Sequence, residues 1–398
     1  MGGRHTAGPA QGHGHGHGGH GPHAEVDVRR GARAVLLGAL AVAGVLALIG
    51  LAMLWPDRAE ADRLREEVSF QGPGVSFVDA TLRSVEDTTA SVTLESGPEE
   101  GSRRSVGLPP EVAGLDLEPG DSLRLQAAET ADGGYEYTYF GTDRETPLWL
   151  LAGLFVLVVL LVARWRGLLA LLGLGFAGLV LLGFVLPALL TGEPGLAVGL
   201  VASTLIMVVV LYTTHGFSLR TSAALAGTLV GLALTAGLGL VATRATRLTG
   251  FGSEEAGFLT TYIGGLDLQD VFTCALVVAG LGVLNDVTIT QSSAVWELRG
   301  AAPELGRRRL FLSGMRIGRD HIASTIYTIV FAYAGTALVL MMVLSLYGLS
   351  IGELLATEEI AQEVVRTLVS STGLVLAVPV TTAIAVWTVP GPVRMSSR

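Results

Sequence analysis

Residues 147–190 read PLWLLAGLFVLVVLLVARWRGLLALLGLGFAGLVLLGFVLPALL, and this stretch decides the class of protein. Its only charged residues are Arg164 and Arg166. A helix needs about 20 apolar residues to cross the roughly 30 Å hydrocarbon layer of a bilayer. The stretch therefore predicts two membrane spans, 147–163 and 168–190, joined by a turn that contains both arginines.

Six further apolar runs extend this prediction to an all-α polytopic membrane bundle of about eight transmembrane helices. They are residues 34–55, 196–213, 221–243, 269–291, 322–348 and 367–389. The composition agrees, because only 15% of the chain is charged, whereas a soluble domain has about 25%. The formal net charge of −9 argues against a nucleic-acid partner. The single Cys274 excludes intrachain disulfides and cysteine-cluster metal sites, and no pattern in the sequence calls for a cofactor.

The arginines predict how the chain is oriented. With the N-terminus in the cytoplasm, the cytoplasmic segments hold fifteen arginines and the short outer loops hold three. Such a bias is typical of membrane proteins, whose cytoplasmic loops are the basic ones. We expect both termini in the cytoplasm. The chain is predicted to begin with a disordered His/Gly-rich tail (1–33), a membrane anchor (34–55) and an extracytoplasmic β domain (57–146). A seven-helix membrane domain (147–390) and a short cytoplasmic tail (391–398) follow.

The outer segment 57–146 is acidic and has a β-type pattern. It contains 20 Asp and Glu against 8 Arg, a charge that either keeps its surface solvated or attracts cations. Short runs of alternating apolar residues, separated by Gly and Pro turns, predict a small β-sandwich or open barrel of four to six strands. The clearest runs are Val75–Leu82, Ala90–Leu94, Ser122–Leu125 and Tyr135–Phe140.

The N-terminal tail is glycine-rich and carries six histidines in residues 1–23. Its composition cannot form a core, so we expect disorder. Neutral imidazoles bind zinc, copper or nickel, and His13, His15, His17 and His20 are the candidate metal ligands. The alternative interpretation is a low-complexity leader whose weak metal binding has no function.

A first polar cluster interrupts the predicted span 269–291. Val271 to Leu284 is apolar for only 14 residues, or about 21 Å of helix, so the span must continue past Asp286. A carboxylate there costs about 2.5–3.5 kcal/mol and should face protein or water. It is either an ion- or proton-handling group or a helix-terminal acid paired with an arginine. The candidate pathway residues are Asp286, Asn285, Thr288, Thr290 and Gln291.

A second polar cluster precedes the predicted span 322–348. Arg316, Arg319, Asp320 and His321 are the candidates for a cytoplasmic gate or relay. Arg319 is the expected partner of Asp286, and Arg316 can pair with Asp320 four residues along a helix. The alternative is an ordinary basic loop that holds the topology.

These two clusters carry a family resemblance. GVLNDVTITQSSAVWEL (Gly282–Leu298) and MRIGRDHIASTIYTIVFAYAG (Met315–Gly335) resemble the YibE/F family of bacterial multipass membrane proteins, and the similarity extends over roughly residues 70–390. The resemblance implies an integral protein of the bacterial plasma membrane and a role in transport. Family members commonly have Asp-Asp where this chain has Asn285-Asp286, so a mechanism that needs two acids there does not carry over.

Signatures of intramembrane enzymes are missing from the sequence. His-Glu-x-x-His and Gly-x-Ser-x-Gly do not occur, so we expect no enzymatic activity. The hypothesis from the sequence is an ion- or proton-coupled transporter that contacts the lipid bilayer and moves a small ion or solute. The alternative is a non-transport scaffold or sensor whose extracytoplasmic domain binds a partner.

Overall fold

The computed structural model of the protein describes residues 30–67, 74–115, 117–130 and 132–392. The candidate metal ligands His13, His15, His17 and His20 lie outside these residues. The helices are α1 Arg30–Met53, α2 Arg58–Glu67, α3 Pro110–Ala113, α4 Glu145–Val180, α5 Leu186–Leu190, α6 Gly195–His215, α7 Leu219–Thr246, α8 Glu254–Tyr262, α9 Leu268–Ala301, α10 Arg307–Thr336, α11 Leu338–Leu346, α12 Ile351–Ala356 and α13 Glu358–Thr388.

The segment between α2 and α4 folds as a five-stranded antiparallel sheet that curves into a half-barrel. The strands are β1 Val75–Glu86, β2 Thr89–Leu94, β3 Arg103–Gly107, β4 Ser122–Glu129 and β5 Tyr135–Thr142. They lie in the order β3-β2-β1-β4-β5, and a buried core of alternating apolar residues fills the concave side. The prediction of a small open β barrel is confirmed, and its four clearest runs lie in β1, β2, β4 and β5.

Strand β3 was not anticipated, because its sequence RRSVG exposes every residue except Val106. It closes the sheet through side chains. Arg104 donates to both carboxylate oxygens of Glu99 (2.9 and 2.6 Å), and the Tyr137 hydroxyl on β5 donates to the same carboxylate at 3.0 Å. Burial and this hydrogen bond to Glu99 raise the pKa of the Tyr137 phenol to about 12.

The stretch 145–190 is helical throughout but turns sharply in the middle. Arg164 has φ 52° and ψ −132°, which is not a helical conformation. A Cβ on Gly167 would lie 2.7 Å from the Val159 carbonyl oxygen, although residues eight apart in a straight helix are separated by about 12 Å. The predicted turn after residue 163 is therefore where the helix breaks. A π-helical segment, Leu181–Val185, joins α4 to α5.

Six helices of the described residues are long and apolar enough to cross a membrane, or seven if the bent pair α10 and α11 counts as one span. This count takes Glu145–Leu190 as a single helix of 46 residues. The pair α10 and α11 is bent by 60°. The eight spans of the sequence prediction thus become six or seven by length and apolarity. One span fewer results because Glu145–Leu190 is counted as a single helix despite the break at Arg164.

Small residues bring α7, α9 and α13 into close contact at the centre of the bundle. A Cβ on Gly227 would lie within 3.0 Å of three side-chain atoms of Thr381. In the same way, Gly373 admits Thr235 from the opposite helix. Gly227, Gly231 and Thr235, which are four residues apart on α7, are therefore buried where α7 packs against α13. By contrast, α1 and α4 expose most of their apolar side chains, as lipid contact requires.

Candidate functional site in the layer of α9, α10 and α13

Asp286 and His321 face each other between α9 and α10. Helix α9 continues without a break from Leu268 to Ala301, so Asp286 is a helical residue rather than a member of an unwound segment. His321 Nε2 lies 3.6 Å from Asp286 Oδ2, which is an ion-pair distance but not a hydrogen bond. The Asp286 side chain is 66% exposed and that of His321 is 29% exposed. We call these two residues the first polar pair.

The expected pairing of Asp286 with Arg319 is wrong. Arg319 is exposed on α10, and the ion pairs of the described residues do not include it. It precedes His321 by two positions, which is about 200° around a helix, so Arg319 points away when His321 faces α9. Arg316 and Asp320 are also exposed, and the expected pair between them does not form within 4.0 Å in the described part of the chain. Of the four predicted gate residues, the structure brings only His321 to Asp286.

Thr288 and Gln291, two predicted pathway residues, are buried helix-contact residues. The Thr288 hydroxyl lies 2.6 Å from the Thr228 hydroxyl of α7. The Gln291 amide donates to the Gly314 carbonyl and to the Thr382 hydroxyl, both at 2.8 Å. These bonds tie α9 to α7, α10 and α13. The Thr288 hydroxyl and the Gln291 Nε2 group are therefore used in contacts between helices.

The remaining pathway residues lie closer to the first polar pair. Thr290 is exposed, like Asp286 and Glu297, so these three form one polar stripe along α9. The Asn285 side-chain oxygen is buried and has no hydrogen-bond partner within the described residues. An unpartnered buried oxygen is costly unless water or an ion reaches it. Asn285 therefore stands beside Asp286 as a residue with unused bonding capacity.

The structure reveals a second ion pair that the sequence did not predict. Arg366 on α13 lies 3.0 Å from Glu363, and each side chain is 25% exposed. The Arg366 guanidinium also stacks over the rings of Phe272 on α9 and Tyr333 on α10, at 5.7 and 6.0 Å from the ring centres. Glu363 Oε2 and Arg366 Nε are buried without hydrogen-bond partners among the described residues. Glu363 and Arg366 are the second polar pair.

Two opposite charges three residues apart, immediately before an apolar run, were the available signal for this pair. The predicted span 367–389 leaves Arg366 in the preceding outer loop, because the apolar run begins only at residue 367. In the structure α13 begins at Glu358, two turns earlier, and its first turns pack against α9 and α10.

A buried apolar cluster packs beside the first polar pair and extends towards the second. It consists of Val287, Ile329, Leu374 and Val378. Ile329 lies between His321 and Tyr333 on α10, whereas Val287 follows Asp286 on α9. Phe272, which contacts the second pair, and Asp286 are fourteen residues apart on α9, or about 21 Å along the helix. The arrangement is two ionisable sites about that distance apart, with the buried Ile329 between them on α10.

The two acids at the start of α9, which could have met a cation at its mouth, bind backbone instead. Asp267 caps α9 by accepting from the backbone N–H groups of Gln269 and Asp270. The Asp270 carboxylate accepts from the Gly195 N–H at 3.1 Å and so fixes the start of α6. In the described residues, no three His, Cys, Asp or Glu side chains are grouped as a metal site would require.

Comparison with known proteins gives one match. The model of the YibE/F-like protein family matches residues 151–391, which is more than half of the chain and includes both polar pairs. No curated protein and no solved structure matches.

Proposed function

The chain belongs to the YibE/F-like family, and from that premise we propose that this integral membrane protein is an ion- or proton-coupled transporter rather than an enzyme. Its site is the layer formed by α9, α10 and α13. Asp286 binds and releases the coupling ion, His321 is its partner in the closed state, and the second polar pair meets the solute at the opposite end of the layer.

The proposed topology is eight spans in the bacterial plasma membrane with both termini in the cytoplasm. The break at Arg164 divides Glu145–Leu190 into two spans, and the bent pair α10 and α11 is one span. Added to the five other membrane-length helices, these make eight. The arginine bias then places the first polar pair towards the cytoplasm and the β domain outside.

Movement of α9 relative to α10 is the step that couples the two sites. The contact between His321 and Asp286 joins the two helices, so a shift of α9 against α10 opens it and frees the carboxylate to bind a cation. Transport then requires that the packing around Ile329 opens, since an ion cannot cross packed hydrocarbon.

The exposure of Asp286 is the observation that carries the proposal. A scaffold has no need of an ionisable side chain inside a span and would seal one with salt bridges and hydrogen bonds. Asp286 is instead 66% exposed, and its contact with His321 is too long for a hydrogen bond. Because a carboxylate is too costly to place against lipid, this exposed side chain is proposed to face water or a bound ion.

Reconstituted liposomes test the proposal. Wild-type protein, Asp286→Asn and the control Glu297→Gln would be compared with a panel of ion-sensitive dyes under imposed ion and pH gradients. Glu297 lies on the same exposed stripe but three turns further along α9, so its change should leave flux unaltered.

We expect wild type and control to dissipate one gradient and Asp286→Asn to lose at least nine tenths of that flux. Equal flux in wild type and Asp286→Asn, with both proteins monodisperse, would exclude this role for Asp286.

A further inference from the structure

Two cavities meet beside the second polar pair. One, of about 440 Å³, is polar and is lined by Ser253, Thr336, Glu359, Gln362, Glu363 and Arg366 among others. The other, of about 310 Å³, is almost entirely apolar and lies between α10, α11 and the first turns of α13. Both are bounded by Tyr333, Ala337 and Glu363, so a single ligand can occupy both. Their size is that of sites for small organic ligands.

The polar compartment has the chemistry of a cation site. Its lining includes two carboxylates, Glu359 and Glu363, against the single guanidinium of Arg366. Arg366 balances the charge of Glu363, which leaves the Glu359 carboxylate as the net negative charge of the lining. The Tyr333 ring also lines this compartment, but the Arg366 guanidinium already stacks on it at 6.0 Å. The attraction for a cation therefore comes from Glu359.

The apolar compartment suits a hydrocarbon chain. Val330, Ala334, Val364 and Leu368 line it, and it extends only two or three residues beyond the polar compartment along α10 and α13. The two compartments therefore lie side by side near the start of α13, and a ligand that fills both has its head in one and its chain in the other. In the proposed orientation, the start of α13 lies at the outer leaflet.

The bend between α10 and α11 gives such a molecule a way in from the bilayer. The two helices meet at Ala337 with an angle of 60°, and Ala337 borders both compartments. Helix α11 exposes Leu338, Val339 and Met342, so the entrance faces hydrocarbon rather than protein.

We propose that this double cavity binds an amphiphile with an ammonium head group and a single alkyl chain, taken from the outer leaflet. The inference rests on the cavity and its charges and does not require that the protein transports anything. It requires that the α10–α13 face of the protein lies in the bilayer, and the choice of the outer leaflet rests on the proposed orientation.

Electron paramagnetic resonance of the protein in nanodiscs tests the inference. The probes are a long-chain alkylammonium with a nitroxide on its tail and the alkylcarboxylate of equal length and label. The association constant of the motionally restricted fraction should be about fivefold higher for the ammonium probe, as one charge contact worth about 1 kcal/mol implies. The double variant Glu359→Gln/Glu363→Gln should abolish this preference. Glu111→Gln, an exposed acid on α3 of the β domain, should preserve it.

A second variant keeps the test decisive if the double variant folds poorly. Ala334→Phe fills the apolar compartment without changing any charge, and it should reduce the restricted fraction of the ammonium probe to the level of lipid at the protein boundary. Equal restriction of the ammonium and carboxylate probes by the wild-type protein would overturn the proposal. So would an unchanged preference in a folded Glu359→Gln/Glu363→Gln protein.

Discussion

The two ion pairs of the helical layer are built differently. Glu363 and Arg366 belong to one helix, lie 3.0 Å apart and are equally shielded. Asp286 and His321 belong to two helices, lie 3.6 Å apart and differ twofold in exposure. Helical geometry holds the first of these contacts, whereas the second changes with any movement of α9 against α10. The intrahelical pair is therefore suited to a fixed binding surface, and the interhelical pair to a switch.

The largest effect should come from breaking the intrahelical pair. Arg366→Gln leaves the shielded Glu363 carboxylate without its counter-charge, and removing one partner of a buried pair costs about 3–5 kcal/mol. We expect a loss in the free energy of unfolding near the lower end of that range. Arg308→Gln, on an exposed part of α10, is the control and should change it by less than about 0.5 kcal/mol.

The double variant Glu363→Gln/Arg366→Gln sharpens this result, because it removes both charges together. It should recover most of the loss seen for Arg366→Gln, as measured by a double-mutant cycle of unfolding free energies. Additive losses would show that the pair does not stabilise the start of α13.

A neutral contact made by Gln291, little more than one turn beyond Asp286 on α9, should have an effect intermediate between those of the two pairs. Gln291→Leu removes the donor to the Gly314 carbonyl and the Thr382 hydroxyl, and leaves both buried. The expected cost is about 1–3 kcal/mol of unfolding free energy. Thr290→Val on the exposed face of the same turn is the matched control. A loss for Thr290→Val as large as that for Gln291→Leu would contradict the assignment of Gln291 as the helix-contact residue.

The interhelical pair should contribute least to stability. Because Asp286 is largely exposed, its coupling to His321 in a cycle of Asp286→Asn and His321→Gln should be below about 1 kcal/mol. The contribution of this pair is expected in flux rather than in folding. A coupling above about 2 kcal/mol would mean that the contact is a structural tie and not a switch.

Asp286 and Arg319 form a reference pair for which no coupling energy is expected. A cycle of Asp286→Asn and Arg319→Gln should give a coupling indistinguishable from zero, since Arg319 points away from α9. A coupling larger than that of the His321 cycle would restore the pairing expected from the sequence. Both cycles use the same assay and share one variant, so their difference is free of variation between preparations.

The apolar runs and their polar interruptions could be predicted from the sequence for one physical reason. A bilayer demands about 20 apolar residues per span, so the short run before Asp286 and the break at Arg164 stand out without any knowledge of packing. The half-barrel was readable from its alternation in β1, β2 and β4. Strand β3 was not, because a strand that buries one side chain has no alternation to detect.

The sequence by itself determined that this is a multipass membrane protein of the YibE/F-like family with a small β domain, and that Asp286 interrupts a span. Those properties depend on local composition and length. Only the tertiary structure decided which residues meet: His321 rather than Arg319 beside Asp286, Gln291 as a helix contact, and Glu363 with Arg366 at a double cavity. The rotation of each helix about its axis is set by packing against several neighbours at once, and no local pattern contains that information.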